Sequence, residues 1–400
     1  MDTKRAMPET IAAQALGWID ETTKAISPPI HTATTFVRDA DNQYRSGRVY
    51  ARDHNPSFDQ AEAVLCALEK GAHAALFASG MAAATAVFMA LKPGNHVVAP
   101  KVMYWSLRNW LANFATQWGL QVEFIDMSNL EELKRSMRFG KTKLVWIETP
   151  ANPLWTITDI AEAAEIAHAG GALLAVDSTI ASPVLTRPLA LGADIVMHSA
   201  TKYLNGHSDV IAGALVARED SEYWARIKGV RAQMGGTLGS FEAWLLLRGM
   251  RTMYLRVEAA SRSAARIAEF FARHSMVAEV LYPGLKNFPG HDIAARQMLG
   301  GFGGMLSIRL KGGNAGGLAG GNAGGNAGGE AAAIATAANV KIWKRATSLG
   351  GVESLIEHRA SVEGAGTPVP ADLLRLSVGI ENVDDLIDDL DHALVRAHAG

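Results

Sequence analysis

A strand-then-helix rhythm is the feature that most constrains how this chain folds. Short apolar runs recur through its first half, and several of them precede a stretch of helix-forming residues. The runs are AALFAS (74–79), HVVAP (96–100), QVEFI (121–125), KLVWIET (143–149), ALLAVDS (172–178), DIVMHS (194–199) and GALVA (213–217). Apolar strands that alternate with helices predict an α/β fold whose mostly parallel central sheet is covered by helices. Ligands of such sheets bind beyond the carboxyl ends of the strands, so the residues after each run are the first candidates for chemistry.

Three segments are expected along the chain. Residues 1–57 show little periodicity and predict an arm that must pack on something else. Residues 58–250 are expected to form a large domain, and residues 251–400 a smaller C-terminal α/β domain. The spacing of apolar residues within 241–274 predicts one long helix that links the two domains.

A glycine-rich repeat interrupts the C-terminal segment. Residues 313–328 read GNAG, GLAG, GNAG and GNAG. Such a tract buries too little side chain to offset the entropy of ordering it, and we therefore predict a flexible surface loop at 312–329. A concave set of backbone amides that binds an anion is the alternative interpretation.

Composition excludes several classes of protein. The 400 residues are 48% hydrophobic and 20% charged, and 38 Lys and Arg against 40 Asp and Glu provide no basic surface for nucleic acid. Cys66 is the only cysteine, which rules out an intramolecular disulfide framework and a Cys-rich metal site. No apolar run approaches the ~18 residues of a membrane-spanning helix. The first residues lack the apolar core of a signal peptide, so a cytoplasmic protein with no membrane, metal or nucleic-acid partner is expected.

Lys202 is the strongest candidate for a reactive side chain. It follows the run DIVMH, close to the hydroxyl residues Ser199 and Thr201. Lysine is seldom buried without a partner, and burial lowers the pKa of its amine, which then forms Schiff bases readily. The two hydroxyl groups are candidates for binding a phosphate beside it. A surface lysine in a loop is the alternative that this stretch alone leaves open.

Two other strand ends carry candidate groups. Asp177 ends the run ALLAVD, where a carboxylate can hold a protonated ring nitrogen or merely cap the next turn. A lysine and an aspartate on neighbouring strands form the arrangement that binds pyridoxal phosphate. Gly80 and Met81 follow another run at a strand-to-helix junction, where free N–H groups bind phosphate.

Eight motifs in order give the chain a resemblance to a known family. They are SPPIHTATTF (27–36), YARDHNPSFDQAE (50–62), FASGMAA (77–83), ETPANP (148–153), VDST (176–179), SATKYLNGHSD (199–209), TSLGGVESLIEH (347–358) and LLRLSVGIE (373–381). On these motifs the chain resembles the trans-sulfuration (Cys/Met metabolism) family of pyridoxal phosphate-dependent enzymes, which includes cystathionine γ-synthases and γ-lyases. The resemblance implies the architecture of fold-type I pyridoxal phosphate enzymes, with pyridoxal 5'-phosphate as the cofactor.

The resemblance also implies roles for residues around the cofactor. Lys202 would carry the cofactor as a Schiff base and then move protons, and Asp177 would pair with its ring nitrogen. The cofactor phosphate would be bound by Gly80, Met81, Ser199 and Thr201. Tyr104 would stack on the ring and act as an acid or base near the leaving group.

Other implied roles concern the substrate and a second subunit. The implied substrate is an amino acid, whose α-carboxylate would be bound by Asn152, Ser348 and Arg375, the last as a bidentate fork. Tyr50 and Arg52 would reach the phosphate of a neighbouring subunit, because this family builds its site at a dimer interface. A homo-oligomer is therefore implied, as a dimer with shared active sites or a tetramer.

The implied reaction is elimination or replacement at Cγ of a sulfur-containing or O-acylated homoserine-type amino acid. Ser348 and Leu349 in SLGG favour this chemistry over the β-lyases, which typically have Ser-Trp-Gly-Gly. Cystathionine β-elimination, methionine γ-lyase activity and homoserine-ester sulfhydrylase activity stay open, and an aminotransferase is the alternative of another class.

Three departures from the family pattern bear on the substrate. Thr347 replaces a common Glu, and Trp105 follows Tyr104 where small residues are usual. From His358 onward the chain reads HRASVEG, whereas HPAS(M)TH is common in the family. Arg359 and Glu363 lie in this segment. These two charged residues are expected either at the pocket rim or in solvent, the commoner position for charged side chains.

Overall fold

All seven apolar runs form strands of one sheet. The strands are β1 (His73–Phe77), β2 (His96–Pro100), β3 (Gln121–Ile125), β4 (Thr142–Glu148), β5 (Leu173–Asp177), β6 (Ile195–His198) and β7 (Gly213–Ala217). In this computed structural model, which describes residues 5–312, 327–364 and 366–399, they lie in the order β1-β7-β6-β5-β4-β2-β3. Strand β7 runs antiparallel to β1 and β6, and the other neighbouring pairs are parallel. The predicted mostly parallel sheet is confirmed.

Helices cover both faces of this sheet. The described helices are α1 (Pro8–Gln14), α2 (Pro56–Glu69), α3 (Gly80–Met89), α4 (Trp105–Trp110), α5 (Leu130–Ser136), α6 (Ile160–Ala169), α7 (Ser182–Leu185), α8 (Glu222–Met234), α9 (Ser240–Met250), α10 (Met253–Phe271), α11 (His291–Gln297), α12 (Ala327–Asn339), α13 (Arg359–Glu363) and α14 (Val383–Ala399). In β4, Val145 and Ile147 enter one apolar cluster, whereas Leu144 and Trp146 enter another. Both faces are therefore buried, which explains why the strands are apolar without alternation.

A second sheet forms farther along the chain. Its strands are β8 (Val277–Leu281), β9 (Met305–Leu310), β10 (Lys344–Arg345), β11 (Leu355–His358) and β12 (Leu373–Ser377), in the order β10-β11-β12-β9-β8. The pairs from β11 to β8 are antiparallel. Helices α10, α12 and α14 supply its core together with apolar residues of the strands. This is the expected smaller α/β unit.

The predicted single helix over 241–274 is wrong, because α9 ends at Met250 and α10 begins at Met253. In a continuous helix the Gly249 carbonyl would accept from the backbone of residue 253. Here it accepts from the backbone N–H of Thr252 at 3.2 Å, from the Thr252 hydroxyl at 3.3 Å and from the Arg256 guanidinium at 2.6 Å. One backbone donor and two side-chain donors thus take the place of the helical bond at the end of α9.

The structure bears only partly on the predicted N-terminal arm and the predicted glycine-rich loop. The N-terminal arm contains the helix α1, which contacts α2 and α10, and Trp244 Nε1 donates to Pro28 O at 2.9 Å. The arm therefore packs at least partly on its own chain. Of the predicted loop at 312–329, residues 313–326 lie outside the described residues, and residues 327–329 begin α12 instead. None of the helices in the described part of the chain combines the length and apolar character that a membrane-spanning segment needs.

One buried hydroxyl group joins the two sheets. Ser307 on β9 accepts a hydrogen bond from Trp155 Nε1 at 2.9 Å and donates to Pro153 O at 2.8 Å. Both partners belong to the loop that follows β4. The same Ser307 lies opposite Arg375 of β12 in the strand register.

Candidate active site

Most sequence-predicted site residues meet at one edge of the seven-stranded sheet. Asp177 ends β5, Ser199 and Lys202 follow β6, and Gly80 begins α3 three residues after β1 ends. Strands β1, β5 and β6 run in the same direction, so their carboxyl ends lie at the same edge. The closeness is direct, since a Cβ atom added to Gly80 would lie 2.7 Å from the Ser199 hydroxyl oxygen.

The start of α3 has the features of an anion cradle. The Ser79 hydroxyl accepts from the Ala82 N–H at 3.0 Å, which caps the helix. The N–H groups of Gly80 and Met81 lie in the first turn, where a helix has no internal acceptor for them. Only glycine fits at position 80 without a clash against Ser199. A phosphate can therefore approach the backbone closely at this point.

Thr201 is less available than the sequence suggests. Its hydroxyl donates to Ala212 O at 3.1 Å and accepts from Ala212 N at 2.9 Å. Both bonds fasten the loop that carries Lys202 to the residue before β7. The hydroxyl proton of Thr201 is thus already donated within the protein.

Lys202 is a partly buried amine with an unusual partner. Its Nζ donates to the Ser348 hydroxyl oxygen at 2.6 Å. Burial lowers the pKa of Lys202 to about 8, and the positive charge of Arg375 acts in the same direction. About a tenth of the amine is therefore neutral at pH 7, and this is the form that attacks an aldehyde or accepts a proton.

Two buried carboxylates lie side by side at the ends of β4 and β5. Glu148 and Asp177 are opposite each other in the strand register. Burial raises the pKa of both groups, and the charge of Asp177 raises that of Glu148 further. Asp177 Oδ1 accepts from Thr179 N at 3.0 Å and from its hydroxyl at 2.6 Å. A cationic ring nitrogen beside Asp177 would relieve this repulsion.

Glu148 was missed as a functional candidate, although it begins the motif ETPANP. Its Oε2 accepts from Tyr104 N at 2.7 Å, and its Oε1 accepts from Asn152 N at 2.9 Å. One carboxylate thus fixes the backbone of two predicted site residues. Its place at the end of a strand next to that of Asp177 was the signal available in the sequence.

The predicted carboxylate-binding residues come together from both sheets. Arg375 NH1 donates to Asn152 Oδ1 at 3.3 Å, and Arg375 NH2 donates to Ser348 O at 2.8 Å. Ser348 has φ of +86°, a left-handed conformation that a side-chain-bearing residue rarely adopts. Its carbonyl and hydroxyl thereby reach two different cations, Arg375 and Lys202.

Three predicted site residues are exposed in the single protomer. Tyr104 and Tyr50 are 43% and 45% exposed, and the Arg52 guanidinium lies 5.4 Å from the centre of the Tyr50 ring. Tyr104 is attached to the site by its backbone bond to Glu148. The reach of Tyr50 and Arg52 into a second subunit stays a prediction.

Arg359 and Glu363 are neither at an exposed rim nor in solvent. Their side chains are 6% and 4% exposed and form an ion pair at 2.8 Å. Arg359 also pairs with Glu357 at 2.9 Å, and Glu357 in turn pairs with Arg375. The expectation of solvated charges is wrong because each group has a buried partner of opposite charge.

A partly buried lysine of lowered pKa, an acidic pair at neighbouring strand ends and an anion cradle are the features expected of the site of a fold-type I pyridoxal phosphate enzyme. The chain belongs to the Cys/Met metabolism PLP-dependent enzyme family, whose model matches residues 9–395. Pyridoxal 5'-phosphate is the cofactor of this family. The cradle at Gly80, the partly buried amine of Lys202 and the buried carboxylates of Glu148 and Asp177 fit that group.

Named relatives cover almost the whole chain. It is 42% identical over 393 residues to cystathionine gamma-synthase of Mycobacterium tuberculosis, which covers 97% of this chain and 96% of that protein. It is 40% identical to cystathionine gamma-lyase of Bacillus subtilis, which covers 94% of this chain and 96% of that protein.

Solved structures agree with the fold. The metB protein of Corynebacterium glutamicum is 39% identical with a TM-score of 0.92, and the match covers 100% of both chains. Cystathionine gamma synthase of Xanthomonas oryzae, solved in complex with cystathionine, is 38% identical with a TM-score of 0.89, covering 98% of this chain and 99% of that one.

Proposed function

We propose that this chain catalyses elimination or replacement at Cγ of a sulfur-containing or O-acylated homoserine-type amino acid. The observation that carries the proposal is the 2.6 Å contact between the Lys202 amine and Ser348, whose carbonyl is bonded to Arg375. Ser348 thus lies between a candidate base, Lys202, and a candidate carboxylate-binding group, Arg375. An amino acid whose carboxylate is bound by Arg375 would have its Cα proton near Lys202. The relatives named cystathionine gamma-synthase and gamma-lyase support chemistry at Cγ.

The residues that hold the cofactor are proposed from the same geometry. When bound, pyridoxal 5'-phosphate withdraws electrons from the substrate and makes its Cα proton acidic. Asp177 holds the proton on the ring nitrogen, and Gly80, Met81 and Ser199 bind the phosphate. Thr201 contributes to the same loop through its bonds to Ala212.

The protein residues then move protons around the substrate. Arg375 and Asn152 bind the α-carboxylate, so that Cα faces Lys202. The neutral amine of Lys202 removes the Cα proton. Chemistry at Cγ requires a second proton to leave Cβ, and Lys202 accepts it after it has given up the first. The leaving group departs with the electron pair of its bond to Cγ and takes a proton, for which Tyr104 is the proposed donor. In replacement, a thiol adds at Cγ and the protons return to Cβ and Cα.

We propose further that the enzyme is a cytoplasmic homo-oligomer, a dimer with shared sites or a tetramer. The exposed Tyr50 and Arg52 would complete the phosphate site of the neighbouring subunit. Their exposure in one protomer supports this proposal, because a tyrosine and an arginine stacked on the surface are suited to binding a group on another chain.

The test is a product analysis on purified holoenzyme. Cystathionine, methionine, O-acetylhomoserine and O-succinylhomoserine are each supplied with and without a thiol, and products are identified by mass. We expect 2-oxobutanoate without thiol, or a new thioether with it. Lys202→Ala serves as the inactive control and the exposed Lys228→Ala as its matched control.

Other products would replace the proposal by a named alternative. Pyruvate from cystathionine would indicate β-elimination instead of chemistry at Cγ. A product that forms only when a keto acid is added would indicate an aminotransferase. Methanethiol from methionine together with 2-oxobutanoate would specify methionine γ-lyase activity within the proposed class.

A further inference from the structure

A series of buried charges extends from the candidate carboxylate site along the smaller sheet. Arg375 NH2 and Arg359 NH1 both donate to the same oxygen of Glu357, the second at 2.9 Å. Arg359 NH2 donates to Glu363 Oε1 at 2.8 Å, and Glu363 Oε2 accepts from the Thr367 hydroxyl at 2.6 Å. The charges alternate in sign from Arg375 to Glu363, and their four side chains are 4 to 8% exposed.

This series is not explained by fold stability alone. Charges cost free energy on burial, and buried ion pairs are often replaced by apolar residues without loss of stability. The short helix α13 nevertheless places Arg359 and Glu363 four residues apart, where their side chains meet. A buried series that ends on Arg375 is therefore expected to act on what Arg375 binds.

The contacts indicate how it acts. Arg375 NH2 is occupied by both Glu357 and Ser348 O, which fixes the plane of the guanidinium. If Glu357 had no other partner, its negative charge would be compensated by Arg375 alone, and the attraction of Arg375 for a bound carboxylate would fall. Because Arg359 shares the same Glu357 oxygen, part of that charge is drawn away from Arg375.

We propose that Arg359 is a positioning residue for the substrate α-carboxylate, acting through Glu357 on Arg375. The inference rests on the proposed function in one respect, the assignment of Arg375 as the carboxylate-binding residue. It does not depend on which bond of the substrate is broken. Arg359 itself does not touch the substrate.

The experiment measures carboxylate recognition separately from the reaction. Glycine and methylamine are titrated into holoenzyme, and the change in cofactor absorbance gives an apparent Kd for each. Both probes have an amine, but only glycine has a carboxylate, and neither has a Cγ. The variants are Arg359→Met, Arg359→Lys and the double variant Arg359→Met/Glu363→Gln, which removes the ion pair without leaving a buried carboxylate unpaired.

A control ion pair involves the same sheet. Arg309 of β9 pairs with Asp372 through two bonds, at 2.9 and 3.1 Å, and with Glu279 at 3.3 Å, and it has no described bond to Arg375 or Glu357. Its side chain is 37% exposed, so the double variant Arg309→Met/Asp372→Asn removes a more exposed ion pair of the same chemistry without touching the series. Its Kd for glycine is expected to stay that of the parent enzyme.

We expect Arg359→Met and the double variant to raise the Kd for glycine about tenfold, within the range of coupled neighbours in one ion-pair network. The Kd for methylamine stays unchanged, and Arg359→Lys recovers part of the loss. An unchanged Kd for glycine, a parallel rise for both probes, or full recovery in the double variant would each overturn the proposal. If the enzyme proves not to react at Cγ, these Kd values still test the role of Arg359. If an Arg375→Met variant binds glycine normally, Arg375 is not the carboxylate-binding residue, and the proposal for Arg359 fails with it.

Discussion

The two sheets contribute to the candidate site in different ways. On the seven-stranded sheet, Asp177 and Lys202 are placed by the ends of parallel strands and by the backbone bonds of the loops that follow them. On the five-stranded sheet, Arg375 and Glu357 lie within strands, and their side chains are held by ion pairs to one another and to Arg359. Backbone geometry thus fixes the proposed cofactor half, and side-chain charges fix the proposed substrate half.

This difference indicates that catalysis and substrate affinity depend on different parts of the molecule. A residue at a strand end keeps its position when its neighbours change, since the ladder bonds hold it. A guanidinium oriented by a series of ion pairs responds to each member of that series. We therefore expect substitutions near the larger sheet to abolish chemistry and substitutions near the smaller sheet to change affinity.

The largest effect is expected for Lys202→Ala on the larger sheet. It removes the amine that carries the cofactor and moves protons, and turnover should fall at least about a thousandfold. The visible absorbance of the cofactor attached to the protein should disappear as well. Steady-state rates and an absorbance spectrum check both points, and an unchanged bound-cofactor band would contradict the role of Lys202.

The next largest effect is expected for Arg375→Met on the smaller sheet. Loss of one partner of a buried hydrogen-bonded charge pair should raise KM for the amino acid about a hundredfold. The cofactor content should stay near that of the parent enzyme. Glu357 keeps Arg359 as a partner in this variant, at 2.9 Å, so no buried carboxylate is left unpaired. Equal losses of kcat and of cofactor content would contradict the proposed division of roles between the two sheets.

A smaller effect is expected at the exposed arm. Arg52→Ala should weaken cofactor retention about tenfold, the loss of one charged bond to a phosphate. Co-expression of Arg52→Ala with Lys202→Ala should form mixed dimers. In a shared site, the subunit that retains Lys202 receives Arg52 from the other subunit, so each mixed dimer has one complete site. Cofactor content and activity of the mixed species test this, and the absence of any recovery would place Arg52 within its own subunit's site.

The smallest effect concerns pH and the Glu148–Asp177 pair. Burial raises the pKa of Glu148 from its ordinary value of 4.5 to about 8, so the folded cofactor-free protein binds more protons than the unfolded chain between these values. Its free energy of unfolding should therefore decrease as pH rises from about 5 to 8. Glu148→Gln should flatten this dependence in thermal unfolding, and a stability that increases with pH would contradict the assignment.

The strand ends were predictable because hydrophobic runs are local. The seven apolar runs locate the larger sheet, and the residues after them include Gly80, Asp177 and Lys202. The role proposed for each stays a prediction. The break between α9 and α10 was not predictable, because the donors to Gly249 O at the end of the first helix include the side chain of Arg256 in the second.

The ion pairs around Arg375 were not predictable either, because they also join residues that are distant in the sequence. Glu357 meets Arg375, which lies 18 positions away, only because β11 and β12 are paired. Charged residues are mostly exposed, so a prediction from residue type assigns Arg359 and Glu363 to solvent. Non-local pairing, which the sequence does not display, decides that they are buried.

The position of Ser307 affects which substitutions can change the substrate of such an enzyme. It lies beside Arg375 in the sheet and bonds to Pro153, the neighbour of Asn152. The separation of the two proposed carboxylate-binding groups, 3.3 Å between Arg375 and Asn152, therefore depends on a residue inside the protein core. A library that varies only the walls of the pocket leaves this spacing constant. Selection for amino acids with bulkier carboxylate substitutes should instead recover mutations at position 307.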